Sequence, residues 1–498
     1  MFIAGIDIGT TGCKCTVYSK QGLFLEESYR EYNSEITEEG HILKPLVVWN
    51  SIKEVIKETV EKVGKIDIIG VTSFGEAAIL LDEKDNPLMD SLLYTDPRGK
   101  YECEELVKFF GKNYMNKITG LNPDSMYTIS KIMWIKKHRP ELFELCKRIC
   151  LFEDYIVYML TGICQIDYSL ATRTMAFDIN GLQWDDKILE FAKVKKELFS
   201  KVVPIGTKAG NVKLSLANEL GLGRATMVVS GCHDQIAAAI GTGVYKEGMA
   251  VDGTGTVECI TNVFNGNNFN VNKEMLYKGS YAIVPFLNDM SIAYAFSFTG
   301  GALLKWYRDK LVNMEKEIIN NSGKSSYDYF NEKVDMTKPS GLLVLPYFAG
   351  AGTPNMDGTA KGGIIGLTLD TSSSDIYKAL MEGVTYEMRL NIEKLSEAGI
   401  EIDSIRATGG GASSEIWLQI KADILKKPVI SLGAAQSGTL GSIMLAGLAC
   451  GIYTSMEEAE KVFVKLKKTY VPNECMSKKY DEIYEKYTKA YDLIKNIM

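Results

Sequence analysis

The sequence predicts an α/β protein made of two tandem domains with one plan, residues 1–245 and 246–498, facing each other across a central cleft. Three observations predict it. Strand-like runs alternate with amphipathic helical runs over 498 residues, a length that exceeds one hydrophobic core. "IDIIGVTSFG" (66–75) and "IDSIRATGGG" (402–411) match at five of ten positions, and each follows a long helical run. The opening "GIDIGTTGCKCTVYSKQG" (5–22) has a counterpart in "AVDGTGTVECITNVFNG" (250–266): strand, Asp, Gly/Thr turn, strand. Both repeats run in the same order, which places the boundary near 245.

The elements follow in order. Residues 5–22 read as a hairpin. "VVWNSIKEVIKETVEKVGK" (47–65) reads as a helix with Val55, Val60 and Val63 on one face. The strand 66–74 leads into a loop, and Cys146 and Cys150 are spaced for one helix. "ATMVVSGC" is a strand ending at His233-Asp234-Gln235, before a helix of small residues. Residues 373–399 form a long helix capped by Ser and Asp and closed by Gly399. "GSIMLAGLACGIY" (441–453) is too short and glycine-rich to span a bilayer and reads as a buried helix.

Composition excludes several classes. Hydrophobic content of 46% and charged content of 24% are ordinary for a globular protein. A net charge of -7 argues against nucleic acid or an anionic membrane as the main partner. The start lacks a basic n-region, so a signal peptide is not expected and the protein is placed in the cytoplasm. Ten cysteines without a Cys-x-x-Cys pair, and three histidines, speak for reduced thiols and against a zinc site.

The chemistry gathers at a few points. Gly9-Thr10-Thr11-Gly12 offers unobstructed backbone N–H groups and two hydroxyls, an anion-binding concavity suited to phosphate. Asp7 beside it would repel a bare phosphate, so a divalent cation, Mg²⁺, is expected between them. A plain hairpin turn is the alternative. Gly253, Thr254, Gly255 and Thr256, after Asp252, form the second such turn. "SGKSS" (322–326) lacks the first P-loop glycine, since position 318 is Ile318. "GGGASS" (409–414) ends in Ser414 and fails the dinucleotide pattern. Asp234, at a strand end and helix start, is a candidate general base, with an N-cap as its plainer role. Gln235 and His233 could bind a polyol. Glu76 lies in the apolar stretch "FGEAAILLD" and needs a partner or solvent. Asp96 and Arg98 are further polar candidates, with a surface turn around Pro97 as the alternative.

Together these stretches resemble the FGGY-type carbohydrate kinases, which include xylulokinase, glycerol kinase and gluconokinase. The likeness covers most of the chain: "GIDIGTTGCK", "LLDEKDNPLMDSLLYTDPRG", "MYTISKIMWIKKH" (126–138), "DYSLATRTMAFDI" (167–179), "PYFAGAGTPNMDG" (346–358) and "GGGASSEIWLQIKADILKKPV" (409–429). The resemblance implies actin-like, ribonuclease-H-like domains that close over a sugar and ATP. It assigns the base to Asp234, and Mg²⁺ and phosphate handling to Asp7, Thr10 and Thr11. Gly253 to Thr256 become the second phosphate loop, and Gly301, Lys305, Gly410 and Ser414 line the nucleotide pocket.

On the acceptor side the chain departs from both patterns. Xylulokinases carry Met-His-Gly where this chain has Gly75-Glu76-Ala77; glycerol kinases carry Arg-Glu, so the Glu is shared and the Arg is absent. Tyr94 aligns with the glycerol-kinase tryptophan and Met126 with its pocket tyrosine. His233 beside the base is typical of neither. The expectation is an ATP-dependent kinase for a small ketose, such as xylulose, or a polyol. An actin-like ATPase and a catalytically silent sugar-binding regulator are the rivals. The expected partners are the sugar and ATP, with a homodimer as a further expectation.

Overall fold

The computed structural model describes residues 1–312, 319, 321, 323–433 and 436–495, so Ile318 and Ser322 of the P-loop-like stretch lie outside the described residues. The chain divides into two compact units. One comprises Met1–Tyr245, Ile283–Ser291 and Gln436–Val464; the other comprises Lys246–Ala282, Ile292–Ala435 and Lys465–Met498. The two continuous stretches expected as domains are therefore each modified: the first unit also takes 283–291 and 436–464 from the second half of the chain.

In the first unit a six-stranded sheet runs Thr207–Asn211, Met227–His233, Ile68–Ser73, Phe2–Ile8, Gly12–Ser19, Phe24–Glu31. Its centre is parallel, and Ile68–Ser73 is buried at every position, as a strand covered on both faces must be. The helix Pro45–Val63 starts with Pro at its first turn and stops at Gly64, in left-handed conformation. It turns Val48, Ile52, Val55, Ile56 and Val60 onto this sheet; Val63 is only partly buried. The helix Ser437–Ala449 covers the other face, against Phe2–Ile8, Ile68–Ser73 and Asp234–Gly241. That approach depends on missing side chains: a Cβ at Gly441 would lie 1.9 Å from the Ala237 carbonyl.

The second unit carries strands in the sheet order Met290–Ser297, Glu258–Asn265, Gly248–Thr254, Ile402–Thr408, Val429–Leu432, Leu466–Tyr470, the first of them from Ile292 onward. The long helix Ser373–Glu397 begins with a capping box between Ser372 and Asp375. It packs through Leu380, Met381 and Val384 into an aromatic core with Tyr307, Phe330, Trp417 and Tyr480.

The repeated plan is present: each hairpin places its first strand in parallel with its Ile-Asp-x-Ile strand. Its register carries a correction. Thr72 and Thr408 are repeat mates, and Thr72 faces Asp7, whereas Thr408 faces Gly253. The counterpart of Asp7 is therefore Gly253. Asp252 is one residue away, on the opposite face of its strand. A second correction concerns Cys146 and Cys150, which do not share a helix: the former follows Pro140–Leu145, the latter ends the strand Arg148–Cys150. All ten cysteines are free thiols. Among the described residues no helix is long and apolar enough to cross a membrane.

Candidate active site

In the first unit the turn after Phe2–Ile8 is closed by Gly9 N–H donating to the Gly12 carbonyl at 2.9 Å. Tyr32 braces it: its hydroxyl donates to the Gly9 carbonyl and its N–H to the Thr11 carbonyl. Among the described residues the hydroxyls of Thr10 and Thr11 make no hydrogen bond, so both remain available to a ligand. Asp7 comes off the strand end, and burial pushes its carboxyl up to about 6, with Lys14 pulling the other way. Such a desolvated carboxylate gains from a cation. No three His, Cys, Asp or Glu side chains gather to hold a metal by themselves among the described residues. One carboxylate beside a phosphate-sized turn nevertheless fits Mg²⁺, which keeps its waters and shares phosphate oxygens.

Asp234 is the first residue of the helix Asp234–Gly241, directly after Met227–His233. Its Oδ1 accepts from Gln235 N–H at 2.6 Å and lies 3.2 Å from His233 Nε2. Its Oδ2 takes no hydrogen bond among the described residues. Burial pushes its carboxyl up to about 7, helped by Asp7 and Glu76 and opposed by Gln235 N–H and Arg173. His233 is held neutral by burial and by Arg173, so it lies beside Asp234 as a neutral imidazole rather than as a cation. His233 N–H in turn donates to Ser169 Oγ, which is bonded to Asp167. Gln235 is exposed beside the acid.

Glu76 is buried in the same unit and holds a backbone conformation that few non-glycine residues adopt, φ 68°. Its partner is Arg173, which ends the short helix Tyr168–Thr172 and bonds Oε1 through Nε and Nη2. The ring beside this pair belongs to Tyr127, one residue on from the aligned Met126; the guanidinium lies 5.2 Å from its centroid. Tyr94 is half-exposed, and its hydroxyl is pushed up by burial and by the nearby Glu76 and Asp234 carboxylates.

Asp96 and Arg98 are committed to each other: Arg98 Nη2 donates to Asp96 Oδ2 at 2.6 Å and Nε to Oδ1 at 2.8 Å. Asp96 also accepts from His41 N–H. The buried Lys131 of "SKIMW" donates to the Asp96 carbonyl at 2.8 Å. This cluster is an internally satisfied brace, and the Pro97 segment is not a bare surface turn.

In the second unit a cavity of about 750 Å³ is lined by Thr254, Gly255, Thr256, Gly301, Lys305, Gly410 and Ser414, with Tyr377 and Trp417 among its walls. Seven of the eight residues from the second turn and the nucleotide assignment, all but Gly253, line this one cavity. Gly301 N–H donates to the Gly255 carbonyl at 2.8 Å, and Ala302 N–H to the Thr256 carbonyl at 3.1 Å. Ser414 caps the helix Glu415–Leu425 through Trp417 N–H. Gly253 and Thr254 belong to the strand itself, so the turn proper is 255–257.

Two residues were missed from sequence. Lys421, fully buried, binds Asp252, the Thr254 hydroxyl and Glu258, the last at 3.0 Å. Burial works against its charge, and Asp252 and Glu258 outweigh that effect. Glu258 itself is pushed up to about 8 by burial and by Asp252. The signal was a lysine in the apolar face of "IWLQIKADIL", where a charge needs a partner. Arg173 was the other, readable only as one residue within a family landmark.

Comparison with known proteins agrees with this arrangement. Residues 2–241 match the N-terminal domain of the FGGY family of carbohydrate kinases, and residues 280–450 its C-terminal domain. A xylulose kinase of Staphylococcus xylosus is 25% identical over 99% of this chain and 100% of its own length. A glycerol kinase of Alkaliphilus oremlandii is 28% identical over 92% of this chain and 91% of its own. Among solved structures, gluconate kinase from Lactobacillus acidophilus superposes with a TM-score of 0.89 at 23% identity, covering 99% of this chain and 98% of the other. Plasmodium falciparum glycerol kinase, solved with ADP, gives 0.86 at 20% identity, with 98% of each chain covered. The two Gly/Thr turns on duplicated α/β sheets are thus those of an actin-like ATPase fold, and the chain belongs to the FGGY family of carbohydrate kinases, phosphotransferases with an alcohol group as acceptor.

Proposed function

We propose that this protein transfers the γ-phosphoryl group of ATP to a hydroxyl of a small ketose or polyol, xylulose being the first candidate, with Asp234 as general base. One observation carries the reading: Asp234 has one carboxylate oxygen held by Gln235 N–H, 3.2 Å from His233 Nε2, and the other without a hydrogen bond among the described residues. That is the arrangement a base needs, one oxygen fixed and one left for the incoming hydroxyl. Neutral His233 orients the carboxylate without cancelling its charge. In the second unit, the cavity around Gly255, Gly301 and Gly410 suits a nucleotide, and the turn at 255–257 suits its phosphates.

Asp7 would hold Mg²⁺, which when bound offsets the charge on the phosphates. Thr10 and Thr11 supply hydroxyl donors, and most of the rate gain comes from positioning and electrostatics. The similarity to xylulose and glycerol kinases supports the acceptor class, and Glu76, Tyr94, His233 and Gln235 are the groups expected to touch it.

The test is acceptor-dependent ADP release across pentuloses, hexuloses, polyols and aldonates, with Mg²⁺ present and then chelated. Asp234→Asn is expected to keep ATP binding and lose at least about 100-fold in turnover. ATP hydrolysis indifferent to every acceptor would favour the actin-like ATPase instead. Acceptor binding without turnover would favour the silent regulator.

A further inference from the structure

Glu76 carries three costs that an ordinary loop residue would avoid. It is buried; it has φ 68°; and Ala77 N–H reaches back to the Gly75 carbonyl at 2.8 Å, making Glu76 the centre of a γ-turn with positive φ, a rare and strained form. Two further contacts hold it in place. Thr128 Oγ1 donates to the Glu76 carbonyl, and Arg173 grips Oε1 with two nitrogens. Strain that neighbours over-determine in this way collects where a side chain must be aimed.

Arg173 can reach Glu76 because Gly75 has no side chain. A Cβ at position 75 would lie 2.8 Å from Arg173 Cγ and 3.0 Å from its Cβ, the stem of the side chain rather than its mobile end. Gly75, Glu76 and Arg173 therefore fit as a set: the glycine vacates the volume, the arginine fills it, and the glutamate is aimed. Oε2 of Glu76 takes no hydrogen bond among the described residues, which leaves one carboxylate oxygen to accept from a ligand.

We propose that Arg173 is a specificity-determining residue of the acceptor pocket, fixing Glu76 so that Oε2 accepts from a hydroxyl of a neutral polyhydroxy substrate and the pocket rejects aldonates. This rests on the proposed kinase reading. Three carboxylates, Asp7, Glu76 and Asp234, influence the pocket, and the guanidinium is already spent on one of them. A substrate carboxylate would meet like charge without a dedicated cation, whereas hydroxyl groups donate to Oε2 and Oδ2. Arg173 also opposes ionisation of His233 and favours that of Asp234, so its loss has a pH signature as well.

The experiment compares wild type, Arg173→Lys, Gly75→Ala and Glu76→Gln, each checked for folding by apparent Tm, on xylulose, glycerol and gluconate. Arg173→Lys keeps the charge but loses the two-nitrogen grip, and Gly75→Ala displaces the arginine stem without touching its chemistry. Both are expected to raise the neutral acceptor's KM at least about tenfold and to leave the KM for ATP unchanged. Glu76→Gln releases Arg173 and is expected to narrow the preference for a neutral acceptor over gluconate by about tenfold or more. If Arg173→Lys folds poorly, Gly75→Ala carries the test alone. Unchanged acceptor KM in the folded variants, or wild type using gluconate as well as the neutral acceptors, overturns the inference and leaves the kinase reading standing. Wild type without any acceptor-dependent ADP release overturns the kinase reading first.

Discussion

The two Gly/Thr hairpins share a sequence pattern and a sheet position, yet their aspartates do opposite work. Asp7 has its carboxylate beside Gly438, takes no hydrogen bond from a cationic side chain among the described residues, and is pushed up to about 6 by burial. Asp252 is fully buried on the other face and bonded to Lys421, which also holds the Thr254 hydroxyl and Glu258. One register step separates them: Asp7 pairs with Thr72, while Gly253 pairs with the equivalent Thr408. Because side chains alternate along a strand, that step puts the second aspartate on the opposite face, where it is paired with Lys421. The first hairpin's acid is the one proposed to meet a cation. The second spends its charge on rigidity.

Substitutions can break this contrast. The largest effect is expected at the first hairpin: Asp7→Asn should reduce turnover by roughly 1,000-fold with the fold intact, the scale of losing an electrostatic stabiliser of the transferring group. Kinetics with Mg²⁺ titrated would check it, and a variant within tenfold of wild type would remove Asp7 from metal binding. Asp252→Asn should not behave alike. The second hairpin answers through stability: Lys421→Met strands two buried acids and is expected to cost about 3–5 kcal/mol, read by denaturant unfolding of the second unit's transition. A loss below about 1 kcal/mol would mean that the buried cluster is not what holds the strand.

Acidity sharpens the contrast further. The proposed base Asp234 would act only when ionised, and its carboxyl is raised to about 7, so turnover is expected to fall about tenfold per pH unit below that value. Stability runs the other way. Asp7 and Asp234 bind protons more readily folded than unfolded, so their contribution is greatest below about pH 4 and is lost as pH rises through about 6 to 7. Asp7→Asn should therefore raise the apparent Tm by a few degrees at pH 8 and change it little at pH 4, with a smaller rise for Asp234→Asn, whose carboxylate is partly open to water. An unchanged Tm at pH 8 would show that neither charge is desolvated. The smallest effect belongs to Thr10→Val and Thr11→Val. Each removes one hydroxyl donor and is expected to raise the KM for ATP about tenfold without altering the acceptor KM.

Much of the fold was legible. The first Ile-Asp-x-Ile stretch leads into the apolar run that a strand covered on both faces requires, and the helix Ser373–Glu397 announced itself by Ser372, Asp375 and Gly399. The placement of the candidate residues was legible where it is local: Thr10 and Thr11 lie on their turn, and Asp234 starts its helix. It was not legible where partners are far apart in sequence. Glu76 and Arg173 are 97 residues apart, and Asp252 and Lys421 are 169 apart. Asp96 and Arg98 are neighbours, but only the fold buries the acid and turns the pair inward, under Lys131.

By itself the sequence determined the strand and helix order, the repeat, the two glycine turns and the acid at residue 234. These depend on periodicity, capping and turn chemistry within a few residues. The tertiary structure decided which aspartate of the repeat is paired with a buried lysine, where helix Ser437–Ala449 docks, and which arginine grips Glu76. Those outcomes depend on strand register and on contacts between distant segments, and a local pattern does not encode either.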